Sequence, residues 1–132
     1  MTIDTVQIAR FILGGSWVYH GLIPKLMTVA PIEHAMTATL GLAPDTSLLI
    51  TRLAGVSEML FGVLLIIFYR YSALIVVNVV LLAALLLFVA VQIPSVLFEA
   101  FNPVTTNLAL IGLSCVLLQA NQQTETHPAS RP

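Results

Sequence analysis

Apolar residues in this chain fall into four long runs, with neither the strict alternation of strands nor the one-sided stripes of soluble helices. The runs cover residues 6–24, 48–69, 72–92 and 104–120. A helix needs about 20 apolar residues, in a range of about 17 to 25, to cross the hydrocarbon core of a bilayer. Each run is therefore a predicted span. The residues between them punctuate helices. Arg70 sits in a tight connection between the second and third spans. Pro94 ends the third, and Asn102-Pro103 reads as an N-cap followed by an N1 proline that opens the fourth. The longer connection, residues 27–47, holds Pro31 and Gly41, a start and a stop for a short helix over 32–40. Its mixed composition places that helix in the membrane interface. Residues 121–132 are polar, contain two prolines and are expected to be a disordered tail. Arg10 and His20 interrupt the first run and no A-x-A-like site follows it, so it reads as a retained helix and not a cleaved leader. The expected fold is all-α: a single four-transmembrane-helix bundle over residues 1–120, with a short interfacial helix between its first two spans.

Composition agrees. Only five Lys or Arg and six Asp or Glu occur in 132 residues, where a soluble chain of this length would carry about 33 charges. The apolar fraction is 58% and mean hydropathy is +1.00. That excludes disorder. A net charge of −1 offers nucleic acid no basic surface. The lipid bilayer is the expected partner. One cysteine, Cys115, rules out an intramolecular disulfide and a dithiol relay to quinone. No metal site is expected, since zinc and iron–sulfur centres need clustered Cys or His. Among the histidines only His20 lies in an apolar run, so one copy of the chain offers no bis-histidine haem site. Four spans put both termini on one side with Arg10, Arg70 and Arg131, against Lys25 and Arg52 on the other. The positive-inside rule then makes the termini cytoplasmic.

A charge near the bilayer centre costs a few kcal/mol, so each one needs a reason. Arg10, His20, Arg52 and Glu58 lie within the predicted spans, with Lys25 at a span end and Asn78 and Asn107 as neutral companions. Interface anchoring accounts for Arg10, Lys25 and Arg52, whose long stems snorkel. Trp17 is too deep for an aromatic belt and reads as core packing. Glu58 is about 15 Å into its span, near the midplane, on a stem too short to reach water. On the second span Thr51, Gly55, Glu58 and Gly62 follow offsets of 0, 4, 7 and 11. On the first, Arg10, Gly14, Trp17 and Gly21 follow the same offsets. Two glycine stripes of equal pitch predict close packing of the first two spans, with Glu58 facing inward near Trp17. Arg10 or Arg52 is its expected charge partner, and a structural ion pair is the alternative to a functional role.

Three segments carry a family resemblance. The first ends in Gly21-x-x-Pro24-Lys25, the second holds Arg52-x-x-Gly55-x-x-Glu58, and the third is Asn102-Pro103 followed by Asn107. In order and spacing they resemble the DoxX-like family of small four-helix membrane proteins, over about residues 8–119. The resemblance implies a multi-pass protein of the cell membrane, a prokaryotic inner membrane. It carries family positions onto Gly21, Lys25, Arg52, Gly55, Glu58, Asn102 and Asn107. Thr106 departs from the lysine expected beside Asn107. The family's namesakes are subunits of an archaeal thiosulfate:quinone oxidoreductase, which makes quinone the cofactor that the resemblance admits. No haem, metal or flavin signature is present in the sequence.

Two readings follow. In the first, the chain is a ligand-binding or partner-anchoring membrane module without its own redox centre. Its partner would be a soluble oxidoreductase or a second copy of the chain. In the alternative, it is the membrane subunit of a quinone-linked oxidoreductase of the thiosulfate or thiol type. Glu58, Arg52, His20, Trp17, Arg10, Lys25 and Asn107 would then serve as ligand contacts or proton relay, as buried carboxylates and shallow histidines can.

Overall fold

The computed structural model describes residues 4–126. Helix α1, Thr5–Gly21, is opened by Asp4, whose carboxylate accepts from the Val6 amide at 3.0 Å. Pro24 has no N–H to donate to the preceding turn. There the helix widens into a π-helical segment, Leu22–Met27, closed by Thr28 N–H donating to the Ile23 carbonyl at 3.0 Å. Helix α2, Pro31–Ala38, starts on its proline, and Gly41 at φ 67° supplies the left-handed turn beyond it. Helix α3, Pro44–Ile67, begins a turn earlier than residue 48, because Pro44 takes the N1 position ahead of the apolar run. Helix α4 is Ser72–Gln92, followed by a 3₁₀ turn over Pro94–Phe98. Helix α5, Pro103–Thr126, is capped by the Asn102 side chain, which accepts from Thr105 N–H at 3.1 Å.

The expected tail needs correction. Residues 121–126 continue α5 as helix. Asn121 is buried and donates to the Tyr69 carbonyl at 3.0 Å, tying the end of α5 to the α3–α4 connection. A polar residue with a buried acceptor is held in place, whatever its composition suggests. Residues 127–132 lie outside the described residues.

Among the described residues, three helices are long and apolar enough to cross a bilayer: Pro44–Ile67, Ser72–Gln92 and Pro103–Thr124. Their burial pattern is inverted relative to a soluble bundle. Leu53, Leu60, Leu87 and Val91 are all more than half exposed, at 58%, 62%, 65% and 69%. Asn78 and Ser114, by contrast, are fully buried at 0%. Apolar residues outside and amides inside fit a lipid solvent, where polar groups must find partners within the bundle. The core joins Ala9 and Leu13 of α1, Leu65 of α3, Ile75 and Leu82 of α4, and Leu110 and Leu117 of α5.

Helices α1 and α3 run antiparallel and touch backbone to backbone. A Cβ added at Gly62 would stand 2.5 Å from the Gly14 carbonyl oxygen, and one at Gly55 would stand 2.8 Å from that of Gly21. The reciprocal additions at Gly14 and Gly21 meet the Gly62 and Gly55 carbonyls. Gly14 thus faces Gly62, and Gly21 faces Gly55. Gly15 and Gly112 have nothing within 4 Å of an added Cβ.

These contacts separate two kinds of glycine. Gly14→Ala and Gly62→Ala are expected to destabilise the bundle by about 1–3 kcal/mol through overpacking. Gly15→Ala is expected to be neutral or to stabilise by up to about 1 kcal/mol, because it relieves only helix-interior glycine entropy. Thermal unfolding of the purified variants in detergent checks both.

Candidate functional site

Beyond the Gly21–Gly55 contact, the next turn of α1's π-helical extension carries Lys25. Its side chain is drawn inward, leaving the residue only 8% exposed. The Lys25 Cβ lies 2.9 Å from where a Gly55 Cβ would stand. The missing methyl at Gly55 is therefore the lane along which the lysine stem passes. At its end the Lys25 ammonium donates to Glu58 Oε1. Lys25 Nζ is also 3.8 Å from Glu33 Oε2. Glu33 arrives from the first turn of α2, which is docked on α3 where the buried Ser47 hydroxyl donates to that of Thr37. Burial raises the Glu33 carboxyl above its usual pKa, Lys25 opposes that rise, and Glu58 adds to it.

Lys25, not Arg10 or Arg52, is the partner of Glu58, which corrects the pairing expected from sequence. Side chains on a helix lean toward its N-terminus. With Gly14 opposite Gly62 and Gly21 opposite Gly55, Glu58 lies level with the stretch of α1 between the two glycines. Lys25 leans back toward that level, and Glu58 leans toward Lys25. Arg10 approaches from the other end, so it and Glu58 lean apart. The Arg10 guanidinium instead packs on the rings of Phe11 and Tyr69. Arg52 is exposed on the outer face of α3.

Glu58 uses only one oxygen on the lysine. Its Oε2 is buried with no hydrogen-bond partner among the described residues. Glu58 borders a cleft of about 360 Å³ between α1, α3 and α4, lined also by Trp17, Ala54, Ser57, Phe61, Leu81 and Leu85. Trp17 organises this cleft. Its ring meets Phe61 edge to face, with centroids 5.1 Å apart at 86°. Its Nε1 donates to Asn78 Oδ1 at 2.6 Å. Asn78 Nδ2 donates to Ser114 Oγ at 2.8 Å, and Ser114 Oγ donates to the Leu110 carbonyl at 2.8 Å. One hydrogen-bonded chain thus crosses α1, α4 and α5, every member satisfied.

On the other side of Trp17 lies a smaller cavity of about 80 Å³, bordered by Ser16, His20, Leu82, Leu85, Asn107 and Leu110. His20 is exposed and lies edge to face with Tyr19 at 6.0 Å. Asn107 donates to the Leu82 carbonyl at 3.2 Å, which binds α5 to α4. Of the residues singled out in the sequence, the structure brings Glu58 and Trp17 to one cleft, with Lys25 paired to Glu58, and His20 and Asn107 to the neighbouring cavity. Arg10 and Arg52 line neither. Sequence reasoning missed Glu33, Phe61 and the Asn78–Ser114 link. Asn78 had a visible signal, the one polar side chain between the ends of a run whose mean hydropathy is 3.2. Ser114 and Phe61 had none.

Removing either end of the ion pair has unequal consequences. Lys25→Met leaves two carboxylates facing one another without a cation and is expected to cost about 3–5 kcal/mol. Glu58→Gln leaves Lys25 with Glu33 as a counter-charge, so the loss is expected to be smaller. Chemical or thermal unfolding in detergent, run as a double-mutant cycle, measures the difference.

A family model, that of the DoxX-like family, matches residues 14–115, a stretch that includes Trp17, Lys25, Glu58, Asn78 and Asn107. No curated protein and no solved structure gives a significant match. With most of its length matched and with apolar helices of spanning length, the chain is a membrane protein that belongs to the DoxX-like family.

Proposed function

We propose that this protein is a four-span membrane module that binds a small hydrophobic ligand carrying one hydroxyl, in the cleft between Trp17 and Glu58. The observation that carries this is Glu58 on the wall of an otherwise apolar cleft of about 360 Å³, its buried Oε2 without a hydrogen-bond partner among the described residues. A buried acceptor without a donor is costly. A ligand hydroxyl satisfies it, while apolar walls and the Trp17–Phe61 pair take the ligand body. Lys25 holds the carboxylate in place from its other oxygen. Helix α1 together with its π-helical extension, Thr5–Met27, supplies the fourth span, and α2 lies in the interface. The termini are on the cytoplasmic side of the cell membrane.

The same cleft favours a second reading. A quinol has a flat ring for the Trp17–Phe61 wall and a hydroxyl for Glu58. His20 and Asn107 border the cavity on the far side of Trp17. Under this reading the chain is the quinone-binding subunit of an oxidoreductase, and a partner delivers the electrons.

Trp17 is the sole tryptophan and lines the cleft, so its emission reports occupancy. Titration of the detergent-purified protein with a short-chain ubiquinol is expected to quench that emission saturably. Glu58→Gln is expected to weaken the apparent affinity about tenfold, the effect of losing one charge-assisted hydrogen bond. Ala54→Phe fills the cleft without touching the ion pair and is expected to abolish saturation. Quenching that stays linear, or that ignores both changes, removes the ligand-cleft reading. Reduction of a short-chain quinone by the purified protein with thiosulfate or a thiol distinguishes the subunit reading from simple binding.

A further inference from the structure

The opposite end of the bundle holds a second concentration of charge that the Glu58 cleft does not use. It is built from the start of α1, the α3–α4 connection and the end of α5. Arg10 places its guanidinium carbon 4.6 Å from the centroid of the Tyr69 ring. Arg70 lies 5.6 Å from the same centroid and donates through Nε to the Tyr69 phenol oxygen at 3.2 Å. Two cations thus share one ring. Among the described residues the ion pairs all belong to Lys25, and neither arginine has a carboxylate partner there. Arg10 Nε is buried and donates to nothing among the described residues. A guanidinium does not escape burial by losing its proton. The ring quadrupole attracts each cation but does not neutralise their mutual repulsion. Among the described residues no anionic acceptor pairs with either arginine.

Beside Tyr69 opens a cavity of about 290 Å³. A water molecule takes about 30 Å³ of liquid, so this space admits a phosphate group together with several waters. Gln7, Arg70, Asn121 and Thr124 are on its wall. On that wall Asn121 ties α5 to the Tyr69 carbonyl. Asp4 borders the cavity too, but its carboxylate is exposed and accepts from the Val6 amide as the α1 cap. Arg70 on the wall and Arg10, which does not line the cavity but packs on the Tyr69 ring that does, set two positive charges against its one negative. Guanidinium forks match the oxygens of a phosphate better than any other side chain. Arg10 is roughly 8 Å along α1 from its first residue, the depth at which a snorkelling arginine meets lipid phosphates.

We propose that Arg10 and Arg70, both held on Tyr69, form a binding site for a phosphate group at this end of the bundle. The group is carried by an anionic lipid or by free phosphate, and the two sources are separable. Delipidated wild-type protein in neutral detergent is titrated with phosphatidylglycerol, phosphatidylcholine or inorganic phosphate, and thermal unfolding is followed. Phosphatidylglycerol is expected to raise the midpoint saturably, and phosphatidylcholine is expected not to. A response to inorganic phosphate as well identifies the phosphate group itself as sufficient. A response to phosphatidylglycerol alone identifies the lipid headgroup. Arg10→Gln and Arg70→Gln are each expected to weaken the apparent affinity about tenfold. Arg70 is exposed, so its variants fold whatever Arg10→Gln does. Arg70→Lys keeps the charge without the fork and is expected to fall between. The site is refuted by no response to either anion, by an equal response to phosphatidylcholine, or by an undiminished response in Arg70→Gln.

Discussion

The arrangement of this protein depends on one close approach, that of α1 to α3 through two pairs of glycines. Between lipid-soluble helices there is little hydrophobic drive, since the tails of the solvent are as apolar as leucine. What holds two such helices is contact, and contact is closest where no side chain intervenes. Gly14 against Gly62 and Gly21 against Gly55 set both the separation and the register. The chemistry then falls into place along that register. Lys25 crosses the bare backbone at Gly55 to reach Glu58, and Trp17 meets Phe61 between the two glycine contacts.

A second constraint binds α4 and α5 to this pair. The apolar side chains face outward and are nearly interchangeable in energy, so specificity has to come from the few polar groups inside. Asn78 is the hub, accepting from Trp17 on one side and donating to Ser114 on the other. Asn107 and Asn121 add single bonds from α5, to the Leu82 and Tyr69 carbonyls. Asn78, fully buried, is an amide whose only alternative to its partners is the apolar interior.

Much of this was legible before the fold was known, and the reasons are local. Ser72–Gln92 is bounded by a tight turn on one side and Pro94 on the other, so its limits could be read directly. Asn102-Pro103 and Pro31 announced helix starts for the same reason. The glycine stripes were visible as offsets of 0, 4, 7 and 11, because small residues on one face have few other uses. The ion pair was harder. Counting depth alone made Arg10 a candidate partner for Glu58, and the decision lay in the direction in which side chains lean and in the helix widening at Pro24. The persistence of helix through Thr126 was hidden too, since it rests on a partner 52 residues away in sequence, Tyr69.

The lean of the side chains has a consequence for how such a protein comes together. Lys25 and Glu58 reach one another because α1 and α3 point in opposite directions, each tilting its charge toward the other. Were the two helices to run parallel, both side chains would tilt the same way and could not meet. The pair is thus specific to the antiparallel arrangement that the facing glycines set.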